Sequence, residues 1–169
     1  MSTPYARSED GVSRAFIENA RHLIKEEYLS KIERCLEKLT DEQVWWRANP
    51  ESNSIGNLLL HVAGNMRQWI VCGLGDAPDE RQRQTEFDER RVVPRQELIH
   101  KLRLTIGEAD AVLAGLDPAR LLDEYTIQDT RSTGLAAIFH VTEHLSMHTG
   151  QIILLTKLLT ATDLRFYDL

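Results

Sequence analysis

Apolar residues recur at three- and four-residue steps along most of the chain, and almost nothing alternates as a half-buried strand would. Ile17, Ala20, Ile24, Tyr28, Ile32, Cys35 and Leu39 predict a first long helix. TDEQ at 40–43 has the form of a capping box, with Thr40 as N-cap and Gln43 reaching back. It predicts a short turn carrying Trp45 and Trp46, closed by the turn-rich ANPESNS. A second helix is expected over about 54–73, with Ile55, Leu59, Val62, Met66 and Trp69 as its seam. The polar stretch 75–93 is too long for a tight connection, and such loops often serve as lids or mobile segments. Pro94 opens a third helix, striped by Leu98, Leu102, Thr105, Ala109, Val112 and Leu116. Asp117-Pro118 reads as the cap and first residue of one short turn. The fourth helix spans roughly 133–160. The expected fold is therefore all-α: a four-helix bundle with short extra helices and a long polar loop between the second and third helices.

A chain of 169 residues can bury its own core, and it is read as a single domain over 1–169. With 42% hydrophobic and 27% charged residues it has an ordinary globular composition. Its apolar runs, such as LAAIF and IILL, are too short to span a bilayer, and MSTPYARSED offers no leader-like apolar stretch. A cytoplasmic location, with no membrane partner, is expected. Cys35 and Cys72 lie far apart and are expected to be reduced thiols in or near the core. The net charge of −6 and the lack of a basic patch interleaved with aromatics argue against nucleic acid as a partner. RQRQTEFDERR at 81–91 mixes signs and reads as a solvated loop.

The most informative stretch is FHVTEHLSMHTGQ, 139–151, with His140, His144 and His148 four residues apart. Steps of four drift by only about 40° around a helix, so the three rings share a sector. Ala137, Val141, Gln151, Leu155 and Leu158 share it too, with Thr142, Ser146, Thr149 and Lys157 opposite. The imidazoles are expected to point inward. Burying three in a row is costly unless something takes up their lone pairs or protons, as a metal ion does. Cβ atoms four residues apart on a helix stand about 5–6 Å apart, so two rings can meet one ion, while three in succession rarely do. Spacing alone leaves His140–His144 and His144–His148 both open, beside a hydrogen-bonded core cluster without metal. A further ligand would come from His61 on the second helix, flanked by Leu58 and Val62, with Asn65 one turn on. His22 and His100 sit among charged residues and are expected at the surface.

NSIGNLLLHVAGNMRQW at 53–69, followed by HLSMHTGQ at 144–151, resembles the DinB-like superfamily, and more narrowly a branch of unassigned function. The resemblance takes in LTDEQVWWR, the NSIGNLLLH helix start and the last helix, and so covers most of the chain. It implies a four-helix bundle, often a homodimer, in which one histidine of the second helix and an H-x-x-x-H pair of the fourth bind a divalent metal such as zinc or nickel. Carried over, the ligands are His61, His144 and His148, with Gly150-Gln151 following. His140 becomes a neighbour of the site, and Asn65 and Gln151 become candidates for orienting a ring or lining a pocket. Many relatives have Arg where Thr149 stands, and some an acidic residue at Asn65, so substrate preferences do not carry over.

Three neutral imidazoles leave a coordination position open, the pattern of a catalytic metal. The better-studied relatives include bacillithiol and mycothiol S-transferases and a mycothiol-dependent maleylpyruvate isomerase. They imply a small-thiol transferase, the metal activating a low-molecular-weight thiol cosubstrate toward a small-molecule substrate. That reading needs no general base, and the motif offers none: Leu145 stands where a metalloprotease motif has Glu, and Glu143 points off the histidine sector. The alternatives are a hydrolase using metal-activated water, with Glu26, Glu27 or Tyr28 as unselected acid/base candidates, and a non-catalytic metal- or ligand-binding bundle. Trp45 and Trp46 are expected in the core rather than walling a pocket. Leu135, Phe139 and Ile153 form a second strip on the last helix, a surface for a dimer partner or for the chain's own termini.

Overall fold

The structure, a computed structural model, describes residues 9–166. The amino-terminal run MSTPYARS and the last three residues lie outside that range, so cover of the Leu135 strip by the termini lies largely outside it too.

Helix α1 runs unbroken over 9–37: α-helical Glu9–His22, π-helical Leu23–Tyr28 and α-helical Leu29–Glu37. Ala20, Ile24, Tyr28 and Ile32 follow at strict four-residue steps, which 3.6 residues per turn would carry progressively around the surface. The wider π turn, bonded from i to i+5, absorbs the difference and keeps them facing the core. Thr40 then caps the one-turn helix α2 (Asp41–Val44), its hydroxyl accepting from the Gln43 N–H and the Gln43 side chain from the Thr40 N–H. Trp45 is in the core, its indole N–H donating to the Val93 carbonyl at 2.9 Å. Trp46, expected beside it, is exposed, because adjacent residues on a turn point to different sides.

Ser54 starts α3 (55–72), which is α-helical over Ile55–Met66 and π-helical over Arg67–Cys72. Gly56 lies in its first turn because Trp45 is packed there; a Cβ would stand 2.6 Å from the indole. The polar loop holds a short helix α4 (Arg83–Asp88). Helix α5 is Arg95–Gly115, with Pro94 as N-cap rather than inside the first turn. A 3-10 turn, Pro118–Leu122, is capped by Asp117. The hairpin β1 (Glu124–Ile127) and β2 (Thr130–Thr133) was not expected; Glu124 pairs with Thr133 and Ile127 with Thr130. Gln128 and Asp129 make its tight turn, both at positive φ. Thr133 caps α6 (Gly134–Thr160). Helices α1 and α3 each pack on both α5 and α6, giving the four-helix bundle of a DinB-like fold. No helix among the described residues is long and apolar enough to cross a membrane.

The inward face of α6 is rotated from the expected one. Ile138, Val141, Leu145, His148, Thr149 and Ile152 are buried, while Leu158 is exposed and Leu155 half-buried. Thr149 can face the core because its hydroxyl donates to the Leu145 carbonyl at 2.7 Å, leaving only its methyl to pack. The histidines therefore flank the core stripe: His148 is buried, His140 and His144 only partly so. His22 and His100 are exposed. Cys35 is buried and Cys72 half-buried, both free thiols.

Ser54 is fully buried, and its hydroxyl accepts the Asn57 N–H in a complete capping box. Ser54→Ala should cost about 1 kcal/mol or more, seen as a Tm lower by roughly 2–4 °C per kcal/mol for a chain of this size. Exposed Ser30→Ala should leave Tm within error. Equal Tm values for the two variants would contradict the capping role.

Candidate metal centre

The packing of α3 on α6 brings His61 to the flank of α6 that carries the histidines. His61 Nε2 and His148 Nε2 each lie 3.1 Å from His144 Nε2. A ligand atom from each of the three rings falls within 4.8 Å of the others, so the three could hold one metal ion. His140 stays outside this cluster. Its Nε2 is 3.2 Å from Asn65 Nδ2, and its ring lies 4.4 Å from that of Trp69. Of the pairs left open by spacing, only His144–His148 meets His61 nitrogen to nitrogen.

The far sides of the rings are also held. Glu86 Oε2 lies 2.9 Å from His61 Nδ1, and Gln151 Oε1 lies 2.6 Å from His148 Nδ1. Each oxygen accepts an Nδ1–H, which leaves the Nε2 lone pair free. His144 Nε2 then faces two lone pairs, and a single proton on it could satisfy only one. A cation between them satisfies all three. The two 3.1 Å separations suit that role, since nitrogens at about 2.0–2.1 Å from an ion stand roughly 2.9–3.4 Å apart, octahedral to tetrahedral. The donor set of three imidazoles and no carboxylate fits zinc or nickel better than the oxygen-seeking magnesium or calcium.

Burial pushes the His144 pKa down to about 3, with the neighbouring rings of His148, His61 and His140 adding to it. Burial lowers His148 and His140 as well. These rings are neutral near pH 7, the state in which an imidazole ligates. Burial alone would raise the Glu86 pKa, but hydrogen bonds from Arg81 and His61 outweigh it and hold the carboxyl below its usual range. The centre thus has an anion one residue removed from the proposed ion.

Glu86 and Arg81 were missed in the sequence, where 81–91 read as solvated. Glu86 is buried, and Arg81 Nε and Nη2 grip its two oxygens at 2.8 and 2.9 Å. The usable signal was Gly64. A glycine inside a helix costs about 1 kcal/mol relative to alanine, so something presses on it. Asn65 does touch an imidazole, that of His140, while its own Oδ1 is buried with no hydrogen-bond partner among the described residues. Glu143, expected to point away, has a carboxylate oxygen 3.6 Å from His140 Nδ1.

A histidine with a depressed folded pKa binds fewer protons native than unfolded between its two values, so stability rises with pH across that window. For His144 the window runs from about 3 to the ordinary 6.5. Full stability holds above it and is lost as pH falls. The Tm of metal-free protein should therefore drop between pH 7 and pH 5, and His144→Gln should flatten that slope. An unchanged slope would contradict burial of a neutral ring there.

A family model described as "Protein of unknown function (DUF1572)" matches residues 11–168. No curated protein matches the chain. Among solved structures, a DinB-like protein from Bacillus cereus is similar with a TM-score of 0.63 and 15% identity, over 78% of this chain and 85% of that one. A conserved protein from Enterococcus faecalis is similar with a TM-score of 0.65 and 17% identity, over 93% of this chain and the whole of that one. At such identities the likeness is one of fold, and the fold it supports is DinB-like. The family match, covering residues 11–168, is the stronger statement: the chain belongs to the family of unknown function DUF1572.

Proposed function

We propose that this chain holds one divalent metal ion, zinc or nickel, on His61, His144 and His148, and that it is a small-thiol S-transferase. The observation that carries the reading is the meeting of three Nε2 atoms with no carboxylate among them. An ion so held keeps a coordination position open and lowers the pKa of a thiol presented to it. The protein's own part is to aim the lone pairs, through Glu86 and Gln151, and to receive the reactants. A cleft of about 320 Å³ reaches His148, with Leu58, Leu154 and Leu155 as apolar wall and Ser52, Asn53 and Gln151 as polar rim. Its size suits a small molecule. The thiol follows from the superfamily resemblance.

A hydrolytic reading has one observation in its favour. His140 stands beside His144, ring centroids 5.3 Å apart, with Glu143 at its Nδ1 and Asn65 at its Nε2. A neutral imidazole beside the ion would accept a proton from water once Asn65 released its Nε2.

Untagged protein should carry about one divalent ion per chain. His61→Ala and His144→Ala should each abolish binding with the helical signal intact, and His22→Ala should change nothing. Retention of the ion in His144→Ala would discard the ligand set. With cobalt in the site, small thiols should produce a new near-ultraviolet band. No response to thiols together with ester or amide turnover lost in His140→Ala would favour the hydrolase. Neither response, with a sharp fall in Tm on metal removal, would leave a non-catalytic bundle.

We also propose a homodimer through the outer face of α6. The exposed strip differs from the expected one: Leu135 and Phe139 belong to it, but Ile153 packs on the core. Met147, Leu154 and Leu158, 51–66% exposed, continue it at helical spacing. Apolar rows of this length are usually covered. Leu154 also walls the cleft at His148, so a partner there would border the site. Phe139→Asp with Leu154→Asp should shift the mass in solution from dimer to monomer. A wild-type chain that is monomeric at all concentrations would overturn the proposal.

A further inference from the structure

Resting on the three-histidine reading above, we infer that Glu86 is a positioning residue that selects the ligating tautomer of His61, so that metal affinity is set partly by the loop 75–93. The argument begins with what surrounds His61 Nδ1. Two side chains reach it: Glu86 Oε2 at 2.9 Å and Arg81 Nη2 at 3.2 Å. The carboxylate only accepts, whereas the guanidinium only donates. With Glu86 in place, Nδ1 carries the proton and donates a hydrogen bond to the carboxylate, and Nε2 keeps the lone pair that faces His144. With Glu86 gone, Arg81 remains as a donor against Nδ1. That environment favours the opposite tautomer, with the proton on Nε2, where it blocks ligation. Loss of Glu86 therefore does more than loosen the ring.

The surroundings are built for the carboxylate. Arg81, its side chain 6% exposed, supplies the opposite charge to both oxygens, and its remaining Nη1 donates to Gln68 Oε1 at 2.8 Å. A buried carboxylate left without such a partner would be strongly destabilising. Gly64 supplies the space, for a Cβ there would lie 2.1 Å from Glu86 Oε1 and 3.0 Å from Arg81 Nε. The backbone of the loop is tied separately: Asn57 Nδ2 donates to the Glu86 carbonyl at 2.8 Å and to that of Glu89 at 3.2 Å. Changing the Glu86 side chain thus leaves the loop attached. Asn57, His61, Gly64 and Gln68 follow at steps of four, three and four residues, one face of α3 that grips residues 79–89.

The test is cobalt affinity, measured by chelator competition on untagged full-length protein, together with the visible spectrum of the bound ion. Glu86→Ala should raise Kd roughly 10–100-fold, the usual loss when a partner of a metal-ligating histidine is removed. Glu86→Gln, whose side-chain oxygen can still accept from Nδ1, should restore most of it. Gly64→Ala changes neither a ligand nor Glu86, and alanine favours helix. It should nevertheless weaken cobalt binding and shift the spectrum, because its methyl takes the carboxylate's place. If Glu86→Ala loses its helical signal, Gly64→Ala and Glu86→Gln decide. A wild-type chain that binds one cobalt, with Glu86→Ala and Gly64→Ala matching it in Kd and spectrum, overturns this inference and leaves the metal site standing. A wild-type chain that binds none overturns both.

Discussion

Lone pairs aimed at one point repel, and three of them meet between α3 and α6. That convergence is the constraint on which the rest of the site depends. It cannot be relieved by protons alone, since each ring is already committed on its far side or crowded by its neighbours. A cation would resolve the arrangement, and two neighbouring side chains keep the rings from relaxing. Gln151 does so one turn along the same helix, and Glu86 from a loop outside the four-helix core.

Keeping a charge pair next to that point is expensive, and the fold meets the expense locally. Arg81, Glu86 and Gln68 form a connected polar group on one side of α3, while Ile55, Leu59, Val62 and Met66 bury the other. A partly satisfied group of this kind would weaken the fold, and a fully satisfied one stiffens it. The polar loop is therefore tied to α3 through side chains. The π-helical turn Arg67–Cys72 carries Trp69, whose ring lies 4.4 Å from that of His140.

Much of this was legible in the sequence, and for local reasons. Thr40 and Asp117 announce helix starts through side-chain caps, which depend on residues two or three positions apart and not on the tertiary fold. The histidine spacing on α6 and the place of His61 on the second helix named the candidates, and the superfamily resemblance chose His144 and His148 over His140; the structure brings those three together. What was not legible depends on tertiary packing. The face of α6 was misjudged because threonine can hide its hydroxyl against its own helix, as Thr149 and Thr156 do. The hairpin at 124–133 escaped because its turn uses Gln128 and Asp129 at positive φ, where glycine or asparagine would have signalled it. Glu86 escaped because a charged run gives no hint of which member is buried; only Gly64, twenty-two residues earlier, records the contact.

X-ray absorption on untagged protein loaded with zinc addresses the central claim most directly, because it counts donor atoms around the ion. The account predicts, with no thiol added, one ion per chain with three imidazole nitrogens at about 2.0–2.1 Å and one or more oxygen donors completing the shell. A sulfur in that shell, fewer than three imidazoles, or no ion retained in the presence of excess zinc would contradict it.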